Sequence, residues 1–249
     1  MTAPHISFII PHKGREALLQ ATRASIAAQA DAPPYEVILV TQNAQLDTAT
    51  RAQLDALQAT VLHADPALTI SALRNTGVRS AHGRLLAFLD ADIGLAPDWL
   101  ATLEGSPDVA LASAAQANSA QAPPLERIRT ALSNAGVDGP VTFLPGRNLL
   151  LARETFDAVG GFPEHLVTCE DYYFTDQVAT RGRLLYTSRT QYVHLGEDTD
   201  YGEMFRKEIW RGQSNLLSIA GRHIQPGEWP SFVAPLWISG AALGAIVAA

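Results

Sequence analysis

Apolar and polar positions along the chain fall into two rhythms. Ile6, Phe8, Ile9 and Ile10 make a short apolar run closed by Pro11, the mark of a buried strand. Val37–Ile38–Leu39–Val40 is apolar on both sides of the pleat, which fits a parallel strand covered on two faces. Val61–Leu62, Leu85–Leu89 and residues 109–114 give further strands, the second running directly into Asp90. Helical stretches lie between them at 16–30, 48–58, 69–81 and 97–103, the last with a proline near its start. This alternation predicts an α/β fold with a Rossmann-like, mostly parallel central sheet flanked by helices. Ligands in such sheets bind beyond the carboxyl ends of the strands.

After residue 115 the pattern changes. Residues 116–140 are rich in Ala, Ser, Pro and Gly and are expected as a connecting loop. Helices follow at 153–159, closed by Gly160–Gly161, at 172–181, closed by Gly182, and at 201–219. Residues 231–249 carry no charge and as a helix would extend roughly 28 Å, near the roughly 30 Å of a bilayer core. Arg206, Lys207, Arg211 and Arg222 lie upstream, as the positive-inside tendency places them on the cytoplasmic side. Two readings of 231–249 stand side by side: membrane contact, or a buried or interfacial helix. The chain divides at 115/116 and again at 220/221.

Composition narrows the choice of function. A hydrophobic fraction of 47% supports a sizeable core. A formal net charge of −7 with no basic run speaks against nucleic acid as a partner. The single cysteine, Cys169, excludes an intrachain disulfide and suits a reducing, cytoplasmic setting.

Four groups carry candidate chemistry. Asp90 and Asp92 follow a strand directly; on an extended segment positions i and i+2 point the same way, and paired carboxylates with phosphate oxygens suit Mg²⁺ or Mn²⁺. Solvated turn aspartates are the bland alternative. Glu170–Asp171 offers a general base, against plain capping of a helix start. His194 follows the strand-like Gln191–Tyr192–Val193 and offers an imidazole ligand, against a structural histidine. Arg74 can hold a phosphate, against an exposed arginine near a helix end.

Taken together in order, these segments resemble the family 2 inverting glycosyltransferases of GT-A fold, over nearly the whole chain to about residue 215. Ser7–Phe8–Ile9–Ile10–Pro11 is similar to that family's first strand. Ala72–Leu73–Arg74–Asn75–Thr76–Gly77 is similar to its Ala-x-Arg-Asn-x-Gly segment, and Asp90–Ala91–Asp92 to its Asp-x-Asp motif. Gly146–Arg147–Asn148 through Gly160–Gly161–Phe162 resembles its acceptor-side block, and Glu170–Asp171 its catalytic pair. His194 stands where a third metal ligand often lies, and Arg206, Arg211 and Gly212 resemble the basic segment that follows. The second strand departs from the pattern: where the family usually runs Val-Asp-Asp-Gly-Ser, this chain has Val40–Thr41–Gln42–Asn43–Ala44, so the base-reading carboxylate is replaced.

The resemblance implies a nucleotide-sugar-binding half in 1–115, an acceptor-binding half with C-terminal helices in 116–220, and an apolar segment in 221–249. It implies Mn²⁺ or Mg²⁺ held by Asp92, Asp90 and His194. Pro11, Gln42, Arg74, Asn75, Asp90 and Arg211 become donor-binding candidates, Asp171 the base and Glu170 its partner. The expected donor is a UDP- or GDP-type sugar. A lipid-linked or cell-envelope glycan at the cytoplasmic face of a membrane is the expected acceptor class. A sugar-phosphate nucleotidyltransferase and a non-catalytic scaffold are the alternatives. The first is opposed by the single glycine of Pro11–His12–Lys13–Gly14–Arg15, the second by the retained Asp90, Asp92 and Asp171.

Overall fold

The computed structural model describes residues 3–106, 108–197 and 200–218, with Trp229, Val233 and Trp237. In chain order the elements are β1 (Ile6–His12), α1 (Glu16–Ala27), β2 (Tyr35–Thr41), α2 (Thr48–Ala56), β3 (Thr60–His63), α3 (Ile70–Ser80) and β4 (Leu85–Leu89). Then come β5 (Ile93–Leu95), α4 (Trp99–Glu104), β6 (Val109–Ala117), α5 (Pro124–Ser133), β7 (Asn148–Ala152), α6 (Arg153–Val159) and α7 (Glu170–Ala179). β8 (Arg183–His194), α8 (Tyr201–Arg211) and a short α9 (Asn215–Ser218) complete the set.

Among the described residues one sheet holds eight strands in the order β3-β2-β1-β4-β7-β6-β8-β5. β1 to β4 are mutually parallel where they pair, and β7 runs antiparallel between β4 and β6. β6 and β8 are parallel, and β5 closes the far edge antiparallel to β8. The mostly parallel first half expected from the alternation is therefore present, joined to a mixed second half.

The period of two in the strands divides the core between the two faces of the sheet. Phe8, Ile10, Leu39, Ala87, Leu89 and Leu150 pack on one side with Leu19, Ile26 and Trp99 of the helices. Ile9, Leu86, Phe88, Leu149 and Leu151 pack on the other with Phe156, Phe162 and Phe174. α3 lies so close to β1 that a Cβ on Gly77 would stand 2.5 Å from Ile9 Cγ2. That approach brings the buried polar residues of α3 onto the sheet.

Four local expectations are corrected. Pro11 does not end the first strand, which runs to His12 with Pro11 paired opposite Val40. Residues 116–140 are not all loop: α5 forms there with Pro124 in its first turn, where a missing N–H is harmless, and buries Leu125. β8 starts at Arg183 rather than near Gln191, and a register shift after Thr187 hides it from a strict alternation. The helix expected over 201–219 breaks at a 3₁₀ turn, Gly212–Ser214. Among the described residues no helix is long and apolar enough to cross a membrane. Segment 231–249, apart from Val233 and Trp237, lies outside the described residues, as does Arg222.

Candidate active site

The site lies beyond the carboxyl end of β4, where α3, the start of β7, α7 and the end of β8 meet. Thr69 caps α3 by accepting from Ala72 N, and one turn later the helix buries Arg74, only 2% exposed. Arg74 Nη1 donates to Glu170 Oε1 at 3.0 Å, while Nη2 donates to Gly146 O at 3.0 Å and to Asp90 Oδ1 at 3.3 Å. Its guanidinium stacks on Phe162, 4.9 Å from the ring centroid. One cation thus joins carboxylates from two distant segments. A planar fork makes this possible where a lysine could not.

Glu170 and Asp171 open α7. Cys169, just before them, sits in the left-handed region at φ 60°, a strained setting for a residue with a side chain. Asp171 Oδ2 accepts from Gly146 N at 3.1 Å and Oδ1 from Tyr172 N at 2.8 Å. A Cβ on Gly146 would lie 2.9 Å from Asp171 Cβ, so the bare glycine allows this approach. Burial and the neighbouring Asp171 push Glu170 up to about 7, against the pull of Arg74. Burial also raises Asp171, opposed by Gly146 N–H and the Arg74 and Arg147 charges.

Residues 90–92 form a turn, not an extended segment, so the two aspartates take different partners. Asp90 faces Arg74, and burial holds its carboxyl above the usual range. Asp92 Oδ2 accepts from Arg15 Nη2 at 3.0 Å, and Asp92 Oδ1 lies 3.4 Å from His194 Nε2. Burial acts to raise Asp92, but the His194 hydrogen bond and the His194, Arg15 and Arg147 charges together outweigh it, and the net shift is downward. β8 delivers His194 beside the turn because Leu195 N donates to Asp92 O at 2.7 Å. Gly196 then passes so close that a Cβ would stand 2.4 Å from Asp92 Oδ2. Against a lowering effect of burial, hydrogen bonds to Asp92 and Glu197 bring His194 up to about 8.

Other donor-binding candidates are placed with varying relation to this cluster. Pro11 is buried at the end of β1. Asn75 turns its carboxamide to the turn before α7: it donates to Phe162 O and Glu164 Oε1, each at 2.9 Å, and accepts from Phe162 N. It braces residues 162–164 with both amide hydrogens engaged. Gln42 Nε2 donates to Asp65 O and Leu68 O at 3.0 and 2.9 Å, which leaves Oε1 as an acceptor at the end of β2. Arg211 ends α8, and its side chain lies outside what the structure describes. Sequence reasoning assigns no role to Arg15, Arg147 or Glu197, although all three meet the Asp92–His194 neighbourhood. Arg15 and Arg147 meet partners remote in sequence, while Glu197 lies three positions past His194 but is buried by Gln116 and Arg129 from far along the chain.

The family model described as glycosyl transferase family 2 matches residues 7–109, the segment that carries Arg74, Asp90 and Asp92. Over those residues the chain is similar to family 2. It is 27% identical to the O-antigen biosynthesis protein RfbC of Myxococcus xanthus over 77% of this chain, which spans 17% of that much longer relative. It is 25% identical to the glycosyltransferase AglE of Haloferax volcanii, over 86% of this chain and 74% of the relative. Among solved structures, the mannosyltransferase PcManGT of Pyrobaculum calidifontis, in complex with GDP-Man and Mn²⁺, superposes with a TM-score of 0.60. That likeness covers 98% of this chain and 81% of the other at 19% identity. S. aureus TarS gives 0.59 over 92% of this chain and 47% of its own, at 17% identity. These likenesses show a GT-A fold, with a curled sheet between helices.

Do the residues of this site suit a divalent ion? Among the described residues no three acidic, histidine or cysteine side chains already form a cage. Asp92 Oδ1 and His194 Nε2, 3.4 Å apart, are spaced to bind one ion side by side. His194 Nδ1 is engaged with Glu197 Oε2 at 2.9 Å, the second contact that metal-binding imidazoles usually make. The donor set fits, with open positions left for phosphate oxygens and water. Asp90, held by Arg74, stands at the edge of this set.

Proposed function

We propose that this chain transfers a sugar from a nucleoside-diphosphate donor, UDP or GDP type, to an acceptor hydroxyl with inversion, and needs Mn²⁺ or Mg²⁺. The observation that supports it is the Arg74 bridge, which ties Glu170 of the candidate base pair to Asp90 of the aspartate turn. PcManGT, of the same fold, holds GDP-Man and Mn²⁺.

In this reading Asp92 and His194 hold the ion, with Asp90 nearby. Once bound, the ion would offset charge on the leaving diphosphate. Asp171, set by Gly146 N–H, accepts the acceptor hydroxyl proton as its oxygen attacks the anomeric carbon from the face opposite the diphosphate. Its raised affinity for protons strengthens it as a base near neutral pH. Glu170, tied to Arg74, orients the pair and the acceptor. Arg74 balances the carboxylates, and with Arg211 adds positive charge toward the leaving group. A lipid-linked or cell-envelope glycan remains the proposed acceptor class; RfbC is an O-antigen biosynthesis protein by name.

The test is release of nucleoside diphosphate from a panel of UDP- and GDP-sugars with Mn²⁺, in the presence of lipid-linked and glycan acceptors, with NMR of the new linkage. One donor turned over, with the product anomer opposite to the donor's, supports the reading. Retained configuration would remove the single-displacement mechanism. Pyrophosphate released from a nucleoside triphosphate and a sugar phosphate would favour nucleotidyl transfer instead.

A further inference from the structure

Glu197 lies just past β8 and takes no part in the base pair. Its side chain is only 3% exposed, yet it carries a carboxylate. Oε2 accepts from His194 Nδ1 at 2.9 Å and from Gln116 Nε2 at 3.1 Å. Oε1 accepts from Arg129 Nε at 2.8 Å, and Arg147 Nη1 stands 3.8 Å from Oε2. Strand β6, helix α5, the loop before β7 and the end of β8 all reach this one group.

A buried carboxylate needs such partners to be tolerated at all, so neutralising two arginines would be reason enough for it. The partners' own bonds argue for more. Arg129 has a second carboxylate, Glu208 Oε1 at 3.0 Å, and Arg147 Nη1 is also hydrogen-bonded to Gln116 Oε1. His194 Nδ1 meets Glu197, while Nε2 at the other side of the ring faces Asp92 Oδ1 at 3.4 Å. A carboxylate fixed from three sides therefore fixes one ring nitrogen, and with it the direction of the other.

We propose that Glu197 is a positioning residue: it holds the His194 ring so that Nε2, beside Asp92, is presented as a preset donor to a divalent ion. The inference rests on the metal role given to His194 above. An imidazole free to rotate about its χ angles loses rotamer entropy each time it binds an ion; one held by a neighbour has already lost it. Outer contacts of this kind commonly change metal affinity 10–100-fold.

The test uses the whole chain and Mn²⁺ alone, without nucleotide, its binding read from the EPR signal of free Mn²⁺. Wild type is compared with Glu197→Gln, Glu197→Asp, His194→Ala and the double variant Glu197→Gln/His194→Ala. Imidazole ¹⁵N shifts of His194 are recorded on metal-free protein. Expected are a loss of Mn²⁺ affinity of tenfold or more in Glu197→Gln, a changed His194 ¹⁵N pattern, and a double variant no weaker than His194→Ala. Glu197→Asp, which keeps the charge beside the arginines but draws the carboxylate back, should lose affinity while remaining folded. Unchanged affinity in both Glu197 variants, or losses that add in the double variant, would overturn the proposal while leaving the metal role of His194 standing. Equal Mn²⁺ binding by wild type and His194→Ala would instead remove the metal role, and this inference with it.

Discussion

Arg74 and Glu170 stand 96 positions apart in the chain and 3.0 Å apart in space, with the arginine on α3 and the glutamate opening α7. The same guanidinium reaches Asp90 and the Gly146 carbonyl. A buried cation shared by two carboxylates is costly to remove, because its partners are left buried and unbalanced. Arg74→Ala is expected to destabilise the fold by about 3–5 kcal/mol, read by chemical denaturation. Arg74→Lys keeps the charge but cannot span all three acceptors, so it should recover only part of that loss.

Asp171 is held by two backbone N–H groups, so its carboxylate is aimed before any acceptor arrives. Asp171→Asn preserves the shape and removes the proton acceptor. Turnover, measured as nucleoside diphosphate release, should fall about 10²–10⁴-fold, with donor affinity little changed. Turnover near wild type would show that another group takes the proton.

Glu170 titrates at about 7 in the folded chain against an ordinary value of 4.5. Between these values the folded state keeps a proton that the unfolded chain has lost. Stability from this group is therefore highest below pH 4.5 and declines as pH rises to 7, by at most about 3 kcal/mol. Glu170→Gln should remove that part of the decline. The wild-type-minus-variant difference in melting temperature should shift by several degrees between pH 5 and 8. A difference independent of pH would contradict the raised value.

Gly196 tests how closely the end of β8 must approach the aspartate turn. A Cβ there meets the far end of the Asp92 side chain, which can swing away. Gly196→Ala should thus change stability by less than about 1 kcal/mol, within the range of substitutions that meet only a movable side chain. Metal-dependent nucleotide binding should nevertheless weaken, because the displaced carboxylate no longer faces His194.

Gln42 offers a prediction about the nucleotide. Two backbone carbonyls take its amide N–H groups, so only Oε1 is left, and it accepts. A base N–H can meet such an acceptor: the ring N–H of uracil or guanine, or the exocyclic amine of cytosine or adenine. Gln42→Ala should therefore weaken binding of the donor nucleotide while leaving binding of inorganic diphosphate unchanged. Equal nucleotide affinity in wild type and Gln42→Ala would remove Gln42 from base recognition.

Much of the first half was legible in the sequence because its signals are local. Apolar runs on both faces of the pleat mark β1, β2 and β4, and the Asp90–Ala91–Asp92 turn follows its strand directly. Glu170–Asp171 was legible as a pair, but not the bridge to Arg74, which exists only because α3 packs tightly on β1 through Gly77. The turn at 90–92 defeated the expectation that the aspartates would point the same way, since alternation holds only for extended backbone. Asn75 was legible as a polar residue beside Arg74, but its bonds to residues 162–164 were not, because those residues lie far off in the chain. Glu197 was illegible for a related reason: its meaning comes from Gln116, Arg129 and Arg147, which only the sheet order brings together.

The most direct measurement is calorimetric titration of GDP and UDP into wild type and Asp92→Ala, each with Mn²⁺ and with EDTA. The account predicts that at least one nucleotide binds wild type with Mn²⁺, and that EDTA or Asp92→Ala weakens it tenfold or more. Binding unaffected by EDTA and by the substitution would contradict the metal assignment. No binding of either nucleotide under any condition would contradict the glycosyl-transfer reading itself.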